Sequence, residues 1–414
     1  MSLHVIDKFS RLCLIALGFS LPLSKPANNA LLALLLLAWL LGGNYRQKIQ
    51  QLKSSPVLLA VIALFAALLL GVLNPLSDWP EAKHELGKYI QLLLIPAMTY
   101  FFVDEKTRTR ALTAFAISMV ITLMASYLLA FGVMDAPTKF GTMQSPTPFR
   151  DSIEHNVLMS FAVVLAAIRW RYSQSRAEKI IYAAFIAFAV INILFMVKGR
   201  TGFVVLLVAV TYFLFRWRGV YGIVIAITMI AMLLAATQFS PNKLNDRLNL
   251  TVTEYRNWTP NVASRQDSSI GMRMEFYYNS LVIITKHPLW GVGTGGVEAA
   301  YQKQIEGKNM GNFHDPHNQY LYLCMQFGVI GMLLLLVLFY QQWKTANRFE
   351  DVVKKYTAHS LVITLAVSCL FNSSLTSHIE STLFAFMTAL LFSSTRRDLG
   401  NAGRCNKYEA NIAK

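Results

Sequence analysis

Long apolar stretches separated by short polar segments make up most of the chain. A transmembrane helix needs about 20 mostly apolar residues, with a range of roughly 17–25. Stretches that approach this length lie near residues 10–23, 27–43, 55–73, 88–103, 111–132, 154–170, 180–197, 201–216, 220–239, 318–341, 358–375 and 380–395. The pattern predicts an all-α polytopic membrane protein with about 12 transmembrane helices and one large, partly helical loop between helices 9 and 10.

The composition supports the same class of protein. Of the 414 residues, 55% are hydrophobic and 14% are charged, whereas charged residues make up roughly 25% of an ordinary soluble domain. Such a chain has too little polar surface to cover a water-soluble fold, which excludes soluble, disordered and coiled-coil classes. The four cysteines are isolated, so neither a disulfide framework nor a zinc site is expected.

The positive charges indicate how the chain is threaded through the membrane. The formal net charge of +16 would suggest nucleic-acid binding in a soluble protein, but the cations lie in short runs between apolar stretches. With the N-terminus inside, 23 of the 38 Lys and Arg residues fall on the inner side and 15 on the outer side, eight of these in the long loop. Because long loops escape the positive-inside rule, the relevant ratio is 23 to 7, and both termini are predicted to be cytoplasmic. Membrane lipids, and not nucleic acid, are the expected surroundings.

The predicted spans divide the chain into four segments. Residues 1–239 hold transmembrane helices 1–9, residues 240–317 form an outer loop subdomain, residues 318–395 hold helices 10–12, and residues 396–414 form a cytoplasmic tail. A structureless loop longer than ~15 residues is uncommon, so we expect order in this one. Ser268 and Ser269 can cap a helix that ends before His287-Pro288, and a second helix is expected at about 297–306.

A histidine at the end of this loop is a candidate general base. In His314-Asp315-Pro316-His317-Asn318, the proline and asparagine favour a turn, which places His317 at the first turn of span ten. An imidazole takes up a proton near neutral pH, which suits a general base. A histidine bonded to a backbone carbonyl at the membrane interface is the alternative. A metal site with His314 and His317 is a further alternative, but no acidic cluster completes it, so no metal is predicted.

Arginines on the outer face are candidates for binding an anion. Arg200 lies in a hairpin between spans seven and eight, and Arg265 and Arg273 lie in the long loop. Their position opposes the positive-inside rule and needs a reason. A guanidinium offers forked donors that match phosphate oxygens. Contact with lipid head groups, or pairing with Glu275 or Asp267, is the structural alternative.

Several classes of function are excluded, either because a motif lies in the wrong structural context or because the motif is missing. Gly291, Gly293 and Gly296 satisfy the G-x-G-x-x-G fingerprint, but a helix precedes them, so we interpret them as a flexible turn joining two loop helices and not as a dinucleotide site. The chain has no Walker-type loop, H-E-x-x-H or G-x-S-x-G motif. Its spans carry almost no ionisable side chains, which argues against an ion-coupled pump.

Together, these features resemble the O-antigen ligase family, within the wider O-antigen ligase/polymerase superfamily. The resemblance depends on the large outer loop late in the chain and on three motifs. The first motif is Gly199-Arg200-Thr201-Gly202. The second is Arg273 at the start of a helix that leads to His287-Pro-Leu-Trp-Gly-Val-Gly293. The third is His317-Asn318, followed after nine residues by Gly328-Val329-Ile330-Gly331. The first 150 residues contribute only their hydropathy.

The resemblance implies a glycosyltransferase of the bacterial inner membrane. Such a protein moves a preassembled O-antigen glycan from undecaprenyl diphosphate to a sugar hydroxyl of lipid A–core at the periplasmic face, with inversion and without a metal or cofactor. It implies that Arg200 and Arg273 hold the diphosphate and that His317 is the base. The residues expected to bind substrate are Arg265, His314, Asn318 and Arg150, the last on location alone. An O-antigen polymerase, a protein O-oligosaccharyltransferase and a lipid-linked oligosaccharide flippase remain alternatives.

Overall fold

The computed structural model describes residues 3–238, 250, 252–256, 258–259, 269–307 and 315–393. Within these ranges the secondary structure is helical, and no β-strand forms beyond one isolated bridge between Thr142 and Ser145. The helices are α1 (Leu3–Ser20), α2 (Lys25–Leu41), α3 (Tyr45–Ser54), α4 (Pro56–Gly71), α5 (Trp79–Lys88), α6 (Ile90–Phe101), α7 (Glu105–Ala130), α8 (Ser152–Tyr172), α9 (Arg176–Ile191), α10 (Arg200–Arg218), α11 (Val220–Gln238), α12 (Ser269–Lys286), α13 (Val297–Ile305), α14 (Gln319–Ala346), α15 (Val352–Ser368) and α16 (His378–Phe392), with a π-helical turn at Asn192–Met196 after α9.

Five stretches in the described part of the chain are long and apolar enough to cross a membrane. They are Glu105–Ala130, Ser152–Tyr172, Arg176–Met196, Arg200–Arg218 and Gln319–Ala346, and the bent pair α2 and α3 makes a sixth if it is one span. Shorter apolar helices occupy Pro56–Gly71, Val220–Met232 and His378–Phe392. The protein is therefore an all-helical, multi-pass membrane protein in its described residues. The count of about 12 spans, the four-segment division and the inside position of both termini stay predictions.

Polar side chains mark where several helices begin. The Asp151 carboxylate accepts hydrogen bonds from the backbone N–H groups of Ile153 and Glu154, at 2.8 and 3.0 Å, and so starts α8. Asn318 does the same for α14 through the N–H groups of Tyr320 and Leu321. A side-chain acceptor at this position satisfies amide donors that have no partner inside the helix. Both caps stand at the end of the molecule where the candidate site lies.

The apolar core runs through the whole bundle, and α16 lies at its centre. Every residue from Ile379 to Phe392 is buried. Around it, α1 packs on α7, α8 on α10, and α4 on α14. A helix that is apolar on all sides is normally found inside a bundle, where other helices cover its full circumference. Helix α16 is thus the inner helix, and the termini of the helices around it bring the outer polar segments together.

The longest helix is broken at the point where the loop docks. Phe327 (φ −140°, ψ 26°) and Gly328 (φ 64°, ψ −166°) leave the helical conformation inside α14. The turn after α12 fills this gap, because the N–H of Val292 donates to the carbonyl of Met325 at 2.8 Å and that of Val329 donates to the carbonyl of Pro288 at 2.9 Å. At the break, backbone groups of α14 therefore form hydrogen bonds to the loop in place of hydrogen bonds within the helix.

The glycine-rich turn is packed more tightly than the sequence suggested. The two helices predicted around it are present as Ser269–Lys286 and Val297–Ile305, and it joins them as expected. All residues from 291 to 297 are buried, and the N–H of Thr294 donates to the carbonyl of Gly71 at 3.2 Å. The turn packs between α4 and α14. Because its glycines have no side chains, its backbone can approach the backbones of these helices closely.

Replacing Gly328 by alanine should therefore destabilise the fold. A Cβ atom there would lie 2.1 Å from the carbonyl oxygen of Leu289, in a backbone conformation that L side chains rarely adopt. We expect Gly328→Ala to cost more than the ~1–3 kcal/mol of backbone strain alone, measured as a lower Tm in detergent. Gly307→Ala is the matched control, since Gly307 has φ 75° but no atom of the described residues lies within 4 Å of the added Cβ. Equal losses of Tm in the two variants would contradict this account of the turn.

Candidate functional site

Three segments that are far apart in the chain meet around His317. Tyr277, on α12, donates its hydroxyl to the carbonyl of His317 at 3.2 Å and to the carbonyl of Leu370, just after α15, at 2.9 Å. The side-chain amide of Asn318 donates to the same Leu370 carbonyl at 3.1 Å. These bonds tie α12, the turn before α14 and the end of α15 together. His317 lies in that turn, two residues before α14 begins, and not in the first turn of the helix as the sequence predicted.

The backbone of His317 is held in a rare conformation. Its φ of 51° is left-handed, which non-glycine residues seldom adopt. The N–H of His317 donates to Oδ1 of Asp315 at 2.6 Å, and the Ser373 hydroxyl donates to the same oxygen at 2.5 Å. An aspartate that bonds a backbone N–H two residues ahead stabilises a turn of this kind. The strain persists because Asp315, Ser373 and Tyr277 all fix the turn.

The imidazole itself is half-buried, and one of its nitrogens lacks a partner among the described residues. Its ring lies beside the ring of Phe276, with centroids 6.3 Å apart, and Nδ1 has no hydrogen-bond partner among the described residues. Burial lowers the pKa of His317 because it penalises the charged form, and the positive charge of Arg273 lowers it further. Asp315, the Asn372 amide and Asp151 act in the opposite direction. The net pKa lies below its usual value, so the ring is neutral at pH 7 and can accept a proton.

Arg273 lies close enough to His317 and Arg200 for their charges to interact. Burial lowers the pKa of Arg273, Tyr277 and Asp315 raise it, and the positive charge of Arg200 lowers it. A guanidinium stays protonated despite such a shift because its ordinary pKa exceeds 12. The structure therefore brings Arg200, Arg273 and His317 into one electrostatic neighbourhood. Two permanent cations beside a neutral imidazole form a site for an anion next to a proton acceptor.

Arg200 is paired with a carboxylate that the sequence analysis did not single out. Its Nη1 lies 3.1 Å from Oε2 of Glu254, in the short helical segment 252–256. Side-chain exposure is 30% for Arg200 and 10% for Glu254, so solvent screens the pair only in part. The sequence alternatives for such a partner were Glu275 and Asp267, and Asp267 lies outside the described residues. The observed pair orients the guanidinium without removing its exposed donors.

The glycines around Arg200 explain how α10 begins where it does. A Cβ at Gly202 would lie 2.3 Å from the Cβ of Asn156 on α8, so the two helices touch at this point. The Asn156 amide donates to the carbonyl of Gly199 at 3.3 Å, and the Ser160 hydroxyl donates to that of Gly202 at 3.3 Å. The preceding π-helical turn, Asn192–Met196, is a deviation that often marks functional sites. Helix α8 thus sets the position of the Arg200 hairpin.

The structure places two of the four residues predicted to bind substrate, Arg150 and Asn318. Arg150 is 6% exposed and donates from Nη2 to the carbonyl of Leu21 at 3.2 Å, while its Nε has no partner in the described part of the chain. Burial lowers the pKa of Arg150, and Glu154 and Asp151 raise it. Asn318 is engaged in capping α14 and in holding Leu370. Arg265 and His314 lie outside the described residues.

Sequence reasoning missed several residues that build this site. Asp315 was given no role at the site, although an Asx turn toward His317 could have been anticipated from the Asp-Pro pair. Tyr277 lies four residues after Arg273, so the helical period places both on one face of α12. Glu254, Asn372 and Ser373 had no local signal, because their proximity to the site comes from tertiary packing.

One group in the described chain has the composition of a metal site. Ligand atoms of Glu81, His84 and Glu85 on α5 lie within 4.8 Å of one another. Glu85 is already engaged, since it pairs with Lys88 and its Oε2 accepts hydrogen bonds from Tyr322 at 2.6 Å and Gln326 at 3.1 Å. These contacts satisfy the Glu85 carboxylate without an ion. The group is separate from the residues around His317, and we assign it no metal.

Comparison with known proteins agrees with the sequence resemblance. The profile of a protein family described as O-Antigen ligase matches residues 185–336, which include Arg200, Arg273 and His317. The match confirms the resemblance to the O-antigen ligase/polymerase superfamily, whose members are membrane proteins that handle lipid-linked glycans. A protein of Haemophilus influenzae described as uncharacterized is 25% identical over 257 residues. That alignment covers 60% of this chain and 62% of the relative, so the chain spans about three fifths of the relative's length.

The charges around His317 predict how its titration responds to substitution. We expect a midpoint below the ordinary value near 6.5. Asp315→Asn should lower it further, because a negative charge that favours the protonated ring is lost. Arg273→Gln should raise it, because a cation that disfavours that form is lost. Histidine NMR in detergent, with the signal assigned by His317→Gln, measures both shifts, and Asp135→Asn in an exposed loop serves as control. Unchanged midpoints would show that the charges do not act on the ring.

Proposed function

We propose that this protein is an O-antigen ligase, which transfers a preassembled glycan from undecaprenyl diphosphate to a sugar hydroxyl of lipid A–core at the periplasmic face of the inner membrane. The observation that carries the proposal is the position of Arg273, whose positive charge acts on the half-buried imidazole of His317 and which itself lies within the field of Arg200. The superfamily match supports a lipid-linked glycan as substrate. A diphosphate supplies the anion that such a site favours.

In the proposed reaction His317 acts as the general base. The acceptor hydroxyl gives its proton to the imidazole as its oxygen forms a bond to the anomeric carbon of the glycan. The bond from that carbon to the diphosphate oxygen breaks, and the leaving diphosphate takes the electron pair. A positioned base of this kind contributes about 10²–10⁴-fold to the rate. Attack from the face opposite the diphosphate inverts the anomeric centre.

Arg200 and Arg273 stabilise the leaving diphosphate. Its negative charge grows as the bond breaks, and guanidinium donors that are already in position lower the energy of that charge without rearrangement. Diphosphate is a good leaving group, so no general acid is needed. Because permanent cations take the place of a metal ion, we propose that the reaction is metal-independent. Arg265 is proposed to support the same phosphates, and His314, Asn318 and Arg150 to contact substrate.

Substituting the base or Arg273 should slow transfer strongly. We expect His317→Ala to lower the rate by about 10²–10⁴-fold and Arg273→Ala by about 10²–10³-fold, with Arg273→Lys intermediate because the charge stays but the forked geometry is lost. The assay uses purified protein, carrier-linked glycan and lipid A–core in detergent. Lys286→Ala, an exposed cation at the far end of α12, is the matched control. Near-normal transfer by His317→Ala and Arg273→Ala would overturn the site assignment.

The same assay tests the metal-independent mechanism. Transfer should continue at an unchanged rate in excess chelator, since Arg200 and Arg273 carry the charge that a divalent cation would otherwise supply. A strict requirement for an added divalent cation would refute the roles given to the two arginines.

The phenotype of a deletion strain distinguishes the ligase from its relatives. Loss of all long glycan on lipopolysaccharide, with carrier-linked polymer still accumulating, is the result expected for a ligase. Lipopolysaccharide that carries a single repeat unit would identify a polymerase instead. Product formation by the purified protein eliminates a flippase, because a flippase makes no new glycosidic bond.

A further inference from the structure

A cleft that contains several cationic side chains lies beside α5, outside the group formed by Arg200, Arg273 and His317. It has a volume of about 680 Å³ and lies between α5, the start of α2 and the turn before α16. The side chains that give the cleft its chemistry are Lys25, Lys83, His84, Lys88, Gln91 and His378. All of them lie in or beside segments predicted to face outward. None of the motifs that define the superfamily resemblance falls in this cleft.

Two lysines of the cleft form no ion pair with the described residues. In the described part of the chain the ion pairs are Arg11–Asp104, Lys88–Glu85 and Arg200–Glu254. Lys88 is thus neutralised by Glu85, whereas Lys25 and Lys83 have no carboxylate within ion-pair distance among these residues. Both lie on the side of the membrane that the positive-inside rule leaves poor in cations. An anionic ligand is the partner that such a pair of ammonium groups favours.

A buried amide in the same cleft lacks a hydrogen-bond partner. Gln91, in the first turn of α6, is 5% exposed, and its Oε1 has no partner among the described residues. Leaving such a group unsatisfied costs about 1–3 kcal/mol, so a donor supplied by a ligand would be favourable there. A carbonyl oxygen of this kind accepts from a hydroxyl group. The ligand therefore combines anionic oxygens with hydroxyls.

A neighbouring cavity has the chemistry of a sugar-binding surface. It has a volume of about 310 Å³, shares His84 and Lys88 with the cleft, and is also lined by Glu81, Glu85, Glu298 and Tyr322, whose hydroxyl donates to Glu85. Carboxylates and hydroxyls are the groups that accept and donate hydrogen bonds to sugars. The two spaces together lie along α5. Their combined lining fits a phosphorylated saccharide.

The cleft also adjoins the turn that holds His317. Thr376 and His378 line the cleft, and they belong to the same segment as Ser373, whose hydroxyl donates to Asp315. The N–H of Leu375 donates to Oε1 of Gln319, at the start of α14, at 2.8 Å. Arg273 and Tyr277 approach the turn from α12, whereas the cleft lies on the side of α2, α5 and α16. In an inverting transfer the acceptor and the leaving diphosphate occupy opposite sides of the reacting carbon.

We propose that this cleft binds a phosphorylated sugar of the acceptor glycolipid, with Lys25 and Lys83 on the phosphate and Gln91 on a sugar hydroxyl. The inference rests on the proposed function for the identity of the acceptor. It assigns the acceptor to residues other than those that hold the donor diphosphate. The two lysines determine affinity for the acceptor and take no part in the chemical step.

The test is a kinetic comparison of the double variant Lys25→Gln/Lys83→Gln with the wild type. With lipid A–core as varied acceptor, we expect the variant to raise its KM at least tenfold while kcat and the KM for the carrier-linked donor stay unchanged. With the same acceptor after phosphatase treatment, wild type and variant should have equal, raised KM values. Gln91→Leu should raise the KM for both acceptors. Lys139→Gln, an outer-loop lysine above the ring of Phe140 and away from the cleft, is the matched control.

A binding measurement separates failure of this inference from failure of the proposed function. Purified wild type should bind phosphorylated lipid A–core at least tenfold more tightly than the phosphatase-treated lipid, and the double variant should bind the two equally, whether or not transfer is seen. An unchanged acceptor KM, equal binding of both lipids by wild type, or a raised donor KM would each overturn the inference. Complete displacement by an equal concentration of inorganic phosphate would also overturn it, since the cleft would then be a site for free phosphate. Equal Tm values for all variants exclude misfolding as the cause.

Discussion

The arrangement of this protein depends on how one strained turn is held at one end of the bundle. His317 adopts a left-handed backbone because the Asp315 carboxylate accepts its N–H while Tyr277 donates to its carbonyl. Ser373 fixes the same carboxylate from the segment after α15. These bonds join three elements that are far apart in the chain, so the backbone of His317 cannot move without disturbing all of them. Such cross-linking keeps the conformation of His317 in spite of its strain.

The charged groups around this turn have opposite effects on the pKa of His317. A cation that would bind a diphosphate also lowers the basicity of a nearby imidazole, and burial adds to that effect. Asp315 compensates, because its negative charge raises the pKa of both His317 and Arg273. Arg200 has its own carboxylate, Glu254, at 3.1 Å. In the proposed reaction the incoming diphosphate adds negative charge to a site that already holds two cations in position, so little reorganisation is needed.

The glycine motifs allow the close packing of helices that positions these groups. Gly202 allows α10 to touch Asn156 on α8, which positions the hairpin of Arg200. The turn at 288–292 occupies the break in α14, so the loop that carries Arg273 and the helix that follows His317 form one packed unit. The cleft beside α5 extends this outer surface toward α2 and α16. Chemistry and packing are therefore coupled, because the same helix ends form both the site and its walls.

The sequence by itself determined the helical membrane class, the stretches that form helices, and the two loop helices at Ser269–Lys286 and Val297–Ile305. It could do so because apolar length and helical period are local properties of the chain. It also singled out Arg200, Arg273 and His317, since each stands out locally against apolar or turn-forming neighbours. Only the tertiary structure decided that these residues share one neighbourhood, that Glu254 pairs with Arg200, and that Tyr277 and Asp315 hold His317. Asp315 lies two residues from His317, within reach of a local turn. Glu254 and Tyr277 lie 54 and 40 residues from the residues they contact, and packing between helices, which no local pattern encodes, determines that they meet.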